Sequence, residues 1–160
     1  MQIRTACMSD LDAIAELERR CFPAEEAASR ESFRTRLEAF ADHFWLLTDG
    51  DVTVAAVNGM ATDKPDLVDE MFHDAAMHDP DGKWQMIFGV ATLPEYQKQG
   101  CAAKLLERAI ADTRAQGRAG LVLTCKEKLI RYYAKFGFEN EGVSVSEHGG
   151  AVWYQMRLTF

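Results

Sequence analysis

A run that reads as a buried strand, Trp84 to Thr92, feeds through Gln97-Lys98-Gln99-Gly100-Cys101-Ala102 into a run that reads as a helix, Ala102 to Gln116. A further continuous apolar run, Gly120 to Thr124, follows as the next strand. This strand–turn–helix–strand order narrows the fold most, because a helix between strands must lie on a sheet face to bury its apolar side. Leu105, Leu106, Ala109, Ile110 and Thr113 share one face of that helix, and Gly117 suits its C-terminal stop. The turn reads Q-x-x-G-x-A. A turn that opens a helix presents unpaired N–H groups and the positive end of the helix dipole, which together cradle anions such as a pyrophosphate. Gly100 removes a side chain where a phosphate would approach, and Ala102 keeps the next turn nearly as bare. Taken alone, the six residues also read as an ordinary connection that holds a glycine.

The rest of the chain extends the pattern. Gln2 to Ala6 can form a first strand. Ser9 is placed to cap a helix carrying Leu11, Ile14, Leu17 and Cys21, with Asp12 at the capping-box position. Phe22-Pro23 interrupts it, and Ser29 opens a second helix with Phe33, Leu37 and Phe40 on one face. Phe44 to Thr48 and Val52 to Asn58 flank Asp49-Gly50, a hairpin pattern. Thr62 to Gly82, rich in Asp, reads as an insertion with a helical piece bearing Val68, Phe72 and Ala75. Leu129 to Lys135 reads as a short helix ended by Gly137, and Phe138–Val145 and Ala151–Leu158 as two strands. The expected class is a mixed α/β sheet in a single domain of residues 1–160.

Composition excludes several functions. No apolar run approaches the roughly 18 residues that a membrane span needs, and Met1-Gln2-Ile3-Arg4 begins no signal peptide. Cys7, Cys21, Cys101 and Cys125 are scattered without a C-x-x-C, so neither a disulfide framework nor a zinc site is expected. No metal and a cytoplasmic location are the expectations. Twenty-five acidic against 18 basic residues give a formal charge of −7, which argues against nucleic-acid binding and tolerates a cationic small molecule.

Three features stand in one order: Val90-Ala91-Thr92 ending a strand, the Q-x-x-G-x-A turn, and Arg131-Tyr132-Tyr133-Ala134-Lys135-Phe136-Gly137-Phe138 about thirty residues on. In this the chain resembles the GNAT superfamily of acetyl-CoA-dependent N-acetyltransferases, the last stretch resembling the superfamily's YxKxGF signature. The Phe22-to-Ala27 loop and the run Thr124-Cys125-Lys126-Glu127 with Tyr132-Tyr133 are similar to its arylalkylamine (serotonin-type) branch. The resemblance covers nearly the whole chain. It implies a mostly antiparallel sheet with a central splay and helices on both faces. It implies that Val90, Ala91 and Thr92 run beside the pantetheine arm of acetyl-CoA. The N–H groups of Lys98, Gln99, Gly100, Cys101, Ala102 and Ala103 would hold the pyrophosphate, with an added charge from the Lys98 side chain unless that side chain is simply solvated. A main-chain N–H near Val90 would polarise the thioester carbonyl. Tyr133 would stand beside the coenzyme A sulfur, where a phenol can hydrogen-bond or protonate the departing thiolate; its plainer reading is a core aromatic.

The chain departs from the arylalkylamine pattern at two positions. Where that branch places two histidines as a proton relay, this sequence has Met86 and Phe88, and neither carries a proton. Glu25, Glu26, Glu70, His73 and His78 are then the free candidates for a base, none within a motif. Met86 and Phe88 read instead as an apolar wall of an acceptor pocket, with Phe22, Met71 and Phe72 able to close it, or equally as core. The expected function is transfer of an acetyl group from acetyl-CoA to a primary amine of a small molecule, arylalkylamine- or polyamine-like. A protein or peptide N-acetyltransferase and a non-catalytic acyl-CoA sensor stand as alternatives, and exposed strand edges leave a homodimer open.

Overall fold

The computed structural model describes all 160 residues. Its strands are β1 (Gln2–Thr5), β2 (Phe44–Asp49), β3 (Val52–Asn58), β4 (Ala61–Thr62), β5 (Trp84–Ile87), β6 (Gly89–Thr92), β7 (Gly120–Cys125), β8 (Glu139–Val143) and β9 (Tyr154–Thr159). Its helices are α1 (Leu11–Cys21), α2 (Arg30–Phe40), α3 (Glu70–His73), α4 (Cys101–Ala115) and α5 (Ile130–Ala134). The strands form two sheets, ordered β1-β2-β3-β6 and β4-β5-β7-β9-β8. Every pair is antiparallel except β5 with β7, which α4 connects. No helix is long and apolar enough to cross a membrane.

Alternation along the strands feeds two cores. In β2, Trp45 and Leu47 point to one side with Leu105, Leu106 and Ala109 of α4, while Phe44 and Leu46 point to the other with α1 and α2. Helices thus cover both faces. Burial of the first core is anchored by a polar contact at its rim, where Trp45 Nε1 donates to Asp112 Oδ2 at 2.9 Å. The hairpin turns at Gly50 as the sequence suggests, with Asp49 opposite Val52.

The run from Trp84 to Thr92, read as one strand, is two. Ile87 pairs with Leu123 of β7, and beyond that point β6 follows β3 instead. Phe88 marks the break: its N–H donates to Asn58 O at 2.7 Å, while Gly89 also faces Asn58, so two residues oppose one in a β-bulge. The partner strand breaks alongside, between β3 and β4. There Gly59 lies so close to Met86 that a Cβ would stand 1.8 Å from Met86 O, which only glycine permits. Gln85, fully buried, fills this seam: its Nε2 donates to the carbonyls of Gly59, Met60 and Met86, and its Oε1 faces His43 Nδ1 at 2.7 Å. The result is a wedge between β6 and β7. Beyond Leu123, β7 pairs only with β9.

Two local readings change. Ser9 does not cap α1. A 3-10 turn over Met8–Asp10 precedes the helix, and Asp10 accepts the Cys7 N–H at 2.9 Å while Arg4 holds both its oxygens at 2.8 Å. A tertiary ion pair with β1 outweighed the local serine, and it holds the Asp10 carboxyl down to about 2. In the 62–82 segment the helix is one turn, α3, which buries Met71; Leu67 is buried ahead of it, and Val68, Phe72 and Ala75 are only partly buried.

Candidate active site

The turn after β6 is fixed at both flanks before it reaches α4. Arg20 at the end of α1 pairs with Glu95, and the Tyr96 hydroxyl donates to Asp49 at 3.1 Å. Lys98 (φ 63) and Gly100 (φ 80) are both left-handed, which curls the chain over itself. Gly100 caps α4, and the first helical bond is Lys104 N–H to Gly100 O at 3.0 Å. The six N–H groups from Lys98 to Ala103 have no acceptor within the protein. All of these residues but Gln99 line a cleft with Thr92, Tyr96 and Tyr132. Six convergent free donors at a helix N-terminus fit a pyrophosphate. Within the protein Gly100 is required by its backbone angle, since an added Cβ would meet no protein atom within 4 Å and would face the open cleft.

Val90 joins this cleft to a second one inside the wedge. The Leu93 N–H bonds Val54 O at 2.9 Å, so by alternation Ala91 bonds β3 while Val90 and Thr92 turn their main-chain groups into the gap. The Thr92 carbonyl is already taken there, by the Cys21 thiol at 3.1 Å and Gln97 Nε2 at 3.2 Å. The Thr92 hydroxyl is buried and has no partner. Across the gap, Tyr133 of α5 lines the wedge beside Leu123 and Cys125. Its ring is edge-on to Tyr132 and Phe138, and its hydroxyl has no hydrogen-bond partner in the protein. Burial pushes this phenol far above its usual range, so it stays protonated. Burial likewise raises the Cys125 thiol to about 11, which leaves it a poor nucleophile.

A third chamber, of about 300 Å³, opens from the wedge between α1, α2 and the bulge. Glu18, Glu26, Phe88, Gly89 and His148 border both spaces, whereas Tyr133 borders only the wedge and Arg36 only the inner chamber. Glu18 Oε2 accepts the Ala28 N–H at 3.0 Å. Its other oxygen lies toward Gly89, 3.9 Å from where a Cβ would stand. Burial raises the Glu18 carboxyl above the ordinary glutamate range. His148 Nε2 lies 2.7 Å from Glu26 O, and since a carbonyl only accepts, Nε2 carries the proton. The His148 ring stacks on Phe72 at 5.1 Å. Lys126 closes one side, with Nζ 2.9 Å from Glu26.

The residues singled out from sequence divide accordingly. Val90, Thr92, Lys98, Gly100, Cys101, Ala102, Ala103, Tyr133, Phe22, Phe88, Phe72, Glu26 and His73 line the connected clefts, with Gln99 between Lys98 and Gly100 in the turn and Ala91 beneath it in the core. Met86 and Met71 are sealed in the α1–α2 core and reach no cleft, so of Met86 and Phe88 only Phe88, at the bulge between β5 and β6, supplies that wall. His78 is structural: its Nδ1 accepts the Ala61 N–H at 3.1 Å and its ring packs on His43. Glu25 and Glu70 border none of the three spaces. Glu18, Arg36 and His148 were not foreseen. For two of them the pattern was present: Glu18 continues the apolar stripe of Leu11 and Ile14, and Arg36 that of Phe33, Leu37 and Phe40. No group of three or more His, Cys, Asp or Glu side chains gathers as metal ligands would.

No curated protein matches the chain in sequence. Among solved structures, the GphF GNAT-like decarboxylase in complex with isobutyryl-CoA superposes with a TM-score of 0.86 at 20% identity, over 99% of either chain. The loading GNATL domain of CurA from Lyngbya majuscula gives 0.84 at 18% identity, over 99% of this chain and 96% of that one. The ribosomal-protein-S18-alanine N-acetyltransferase from Escherichia coli gives 0.74 at 20%, over 99% and 92%. At such identities the likeness is one of fold. The model of the acetyltransferase (GNAT) family matches residues 11–138, from α1 through the phosphate turn to Phe138. The chain therefore belongs to the acetyltransferase (GNAT) family and is an acyltransferase that draws on a coenzyme A thioester.

Proposed function

We propose that this enzyme moves an acetyl group from acetyl-CoA to the primary amine of a small molecule, arylalkylamine-like in size. The observation that carries the reading is the unbroken track from six free N–H groups, along the unpaired face of β6 and past Tyr133, to a chamber bordered by a buried carboxylate. Pyrophosphate oxygens suit the N–H groups of Lys98 to Ala103. A pantetheine arm suits Val90 and Thr92 as an added strand would, and could give the Thr92 hydroxyl the partner it lacks. Because the Thr92 carbonyl is occupied, Cys21 and Gln97 must share or release it on binding.

The bound thioester supplies an activated acyl carbon; the chain supplies orientation and proton transfer. The Val90 N–H is placed to receive the carbonyl oxygen as it gains charge. Glu18, with one oxygen held by Ala28 and the other free, takes a proton from the incoming ammonium, and burial raises its affinity for protons in the direction that this task needs. This replaces the missing histidine relay. The amine nitrogen then bonds the acyl carbon, the C–S bond breaks with its electron pair on sulfur, and the nitrogen's second proton ends on that sulfur. Tyr133 donates a hydrogen bond to the departing thiolate. With its own proton held so tightly, it steadies the charge rather than giving the proton away to a thiolate whose acid is stronger, with a pKa near about 8.5. A cytoplasmic setting fits four cysteines that are all unpaired.

The test mixes purified protein with acetyl-CoA and a panel of primary amines and follows free thiol. Amine-dependent thiol release and the N-acetyl product by mass are expected. Turnover with peptides alone would move the acceptor class. Tight coenzyme A binding with no turnover on any amine would leave a sensor.

A further inference from the structure

Arg36 is the one arginine or lysine of the inner chamber, and the mechanism above does not use it. It is 4% exposed, in the middle of the apolar stripe of α2, between the rings of Phe33 (5.2 Å) and Phe88 (5.0 Å). It makes no ion pair. Nη1 donates to Asn58 Oδ1 at 3.2 Å and Nη2 to Phe72 O at 3.1 Å, both neutral acceptors. Nε is buried without any partner. A buried guanidinium with no counter-charge is costly, and an apolar side chain of its size would serve the core better. Burial lowers its proton affinity to about 10, which still leaves it charged at neutral pH. The nearest opposing charge is Glu18, which acts on it across the chamber without touching it.

The order of groups along the track then specifies a ligand. Tyr133 marks the sulfur end, Glu18 stands at the boundary of wedge and chamber, and Arg36 lies only beyond it. We infer that the acceptor is a free amino acid, its amine presented at Glu18 and its carboxylate held by Arg36 in the inner chamber. This rests on the N-acetylation reading and narrows it: an arylalkylamine with a carboxylate on the carbon bearing nitrogen is an aromatic amino acid. Phe88 and Phe72 give the chamber apolar walls for the side chain, and about 300 Å³ suits one residue rather than a chain of them. The carboxylate replaces the missing counter-ion with a planar acceptor that matches the guanidinium fork.

Matched pairs test it: phenylalanine against phenethylamine, and leucine against isoamylamine, with thiol release read on wild type, Arg36→Met and Arg36→Lys. Wild type should prefer each amino acid by at least about 30-fold in kcat/KM, the factor that corresponds to losing one partner of a buried charge pair. Arg36→Met should erase that preference and leave phenethylamine turnover within a few fold, and Arg36→Lys should fall between. Equal use of phenylalanine and phenethylamine by wild type overturns the inference, as does an Arg36→Met variant that loses both alike. If no amine is acetylated, the N-acetylation reading fails by itself, and calorimetry of phenylalanine with the coenzyme A-loaded protein decides the site: Arg36-dependent binding upholds it and no binding ends it. Arg36-dependent loss of CO₂ from malonyl-CoA, with no amine present, would put the carboxylate on the acyl group instead and also overturn the inference.

Discussion

Replacing Gly100 by alanine separates conformation from contact at the phosphate turn. The residue sits at φ 80, ψ 10, and a Cβ added there meets nothing within 4 Å. In the free protein any effect must come from the backbone, where an L side chain in the left-handed region costs about 1–2 kcal/mol. On the proposed reading coenzyme A binds the curled turn, so the bound state would carry the whole cost. The free protein carries as much of it as the turn keeps its shape. Lost stability of the free protein and lost binding energy should therefore sum to about 1–2 kcal/mol. If the turn holds, the melting temperature falls by about 2–4 °C per kcal/mol and affinity is kept; if it relaxes, stability is kept and the Kd rises about 5- to 30-fold. Alanine also stiffens the unfolded chain, by about 0.4–1 kcal/mol. Gly100→Asn provides the control, since asparagine tolerates this region while stiffening the unfolded chain similarly. Scanning calorimetry with and without coenzyme A, and titration calorimetry for the Kd, read both parts. A Gly100→Ala variant as stable and as tight-binding as Gly100→Asn would refute the reasoning.

Tyr133→Phe should lower kcat about 10- to 100-fold with KM for acetyl-CoA within a few fold, since a hydrogen bond to a charged group contributes about 1.5–3 kcal/mol; an unchanged pH–rate profile should accompany the loss. Glu18→Gln should lower kcat about 100-fold or more at neutral pH. The same variant should gain stability over wild type as pH rises above the ordinary carboxylate range, because the folded Glu18 holds its proton more tightly than the unfolded one, which costs wild type stability there; equal denaturation midpoints at pH 4 and 8 would count against this. His78, kept neutral chiefly by burial and next by the charge of His43, has its pKa lowered from 6.5 to about 4. The unfolded chain therefore binds the proton first, and stability should drop as pH falls from about 6.5 toward 4, a slope that urea titrations should find flattened in His78→Gln.

What could be read from sequence was what short-range chemistry decides. Ser29 caps α2 by accepting the Ser32 N–H at 3.1 Å, and Asp49-Gly50 makes the hairpin, because each needs only its neighbours. Ser9 failed as a cap because Arg4, on another element, drew Asp10 into place. The break at Phe88 left no mark in an unbroken apolar run. It depends on Gly59 across the sheet and on Gln85 filling the seam. The turn was legible through its glycine and its place before a helix, while the left-handed φ of Gly100 left no mark of its own in the sequence. His148 joined the chamber through a fold-back of the β8–β9 connection onto Glu26, a contact spanning most of the chain.

Glu18 and Arg36 were legible in principle, since each interrupts an apolar stripe, and the reason they matter lies in what else is buried. Asp10 is matched by Arg4 and a backbone N–H, and Gln85 has partners for both its oxygen and its nitrogen. Such satisfied groups hold the structure together. The buried polar atoms left without partners are Arg36 Nε, Thr92 Oγ1 and Arg157 Nη1. Arg157 lies away from the clefts, with Asp66 and Glu141 neutralising its charge, so its orphan is a minor deficit in a paired group. The other two stand at opposite ends of one track, Thr92 where a pantetheine amide would pass and Arg36 where an acceptor's carboxylate would end. One charged group and one neutral hydroxyl thus stand unmet along the path that both substrates would take on the proposed reading.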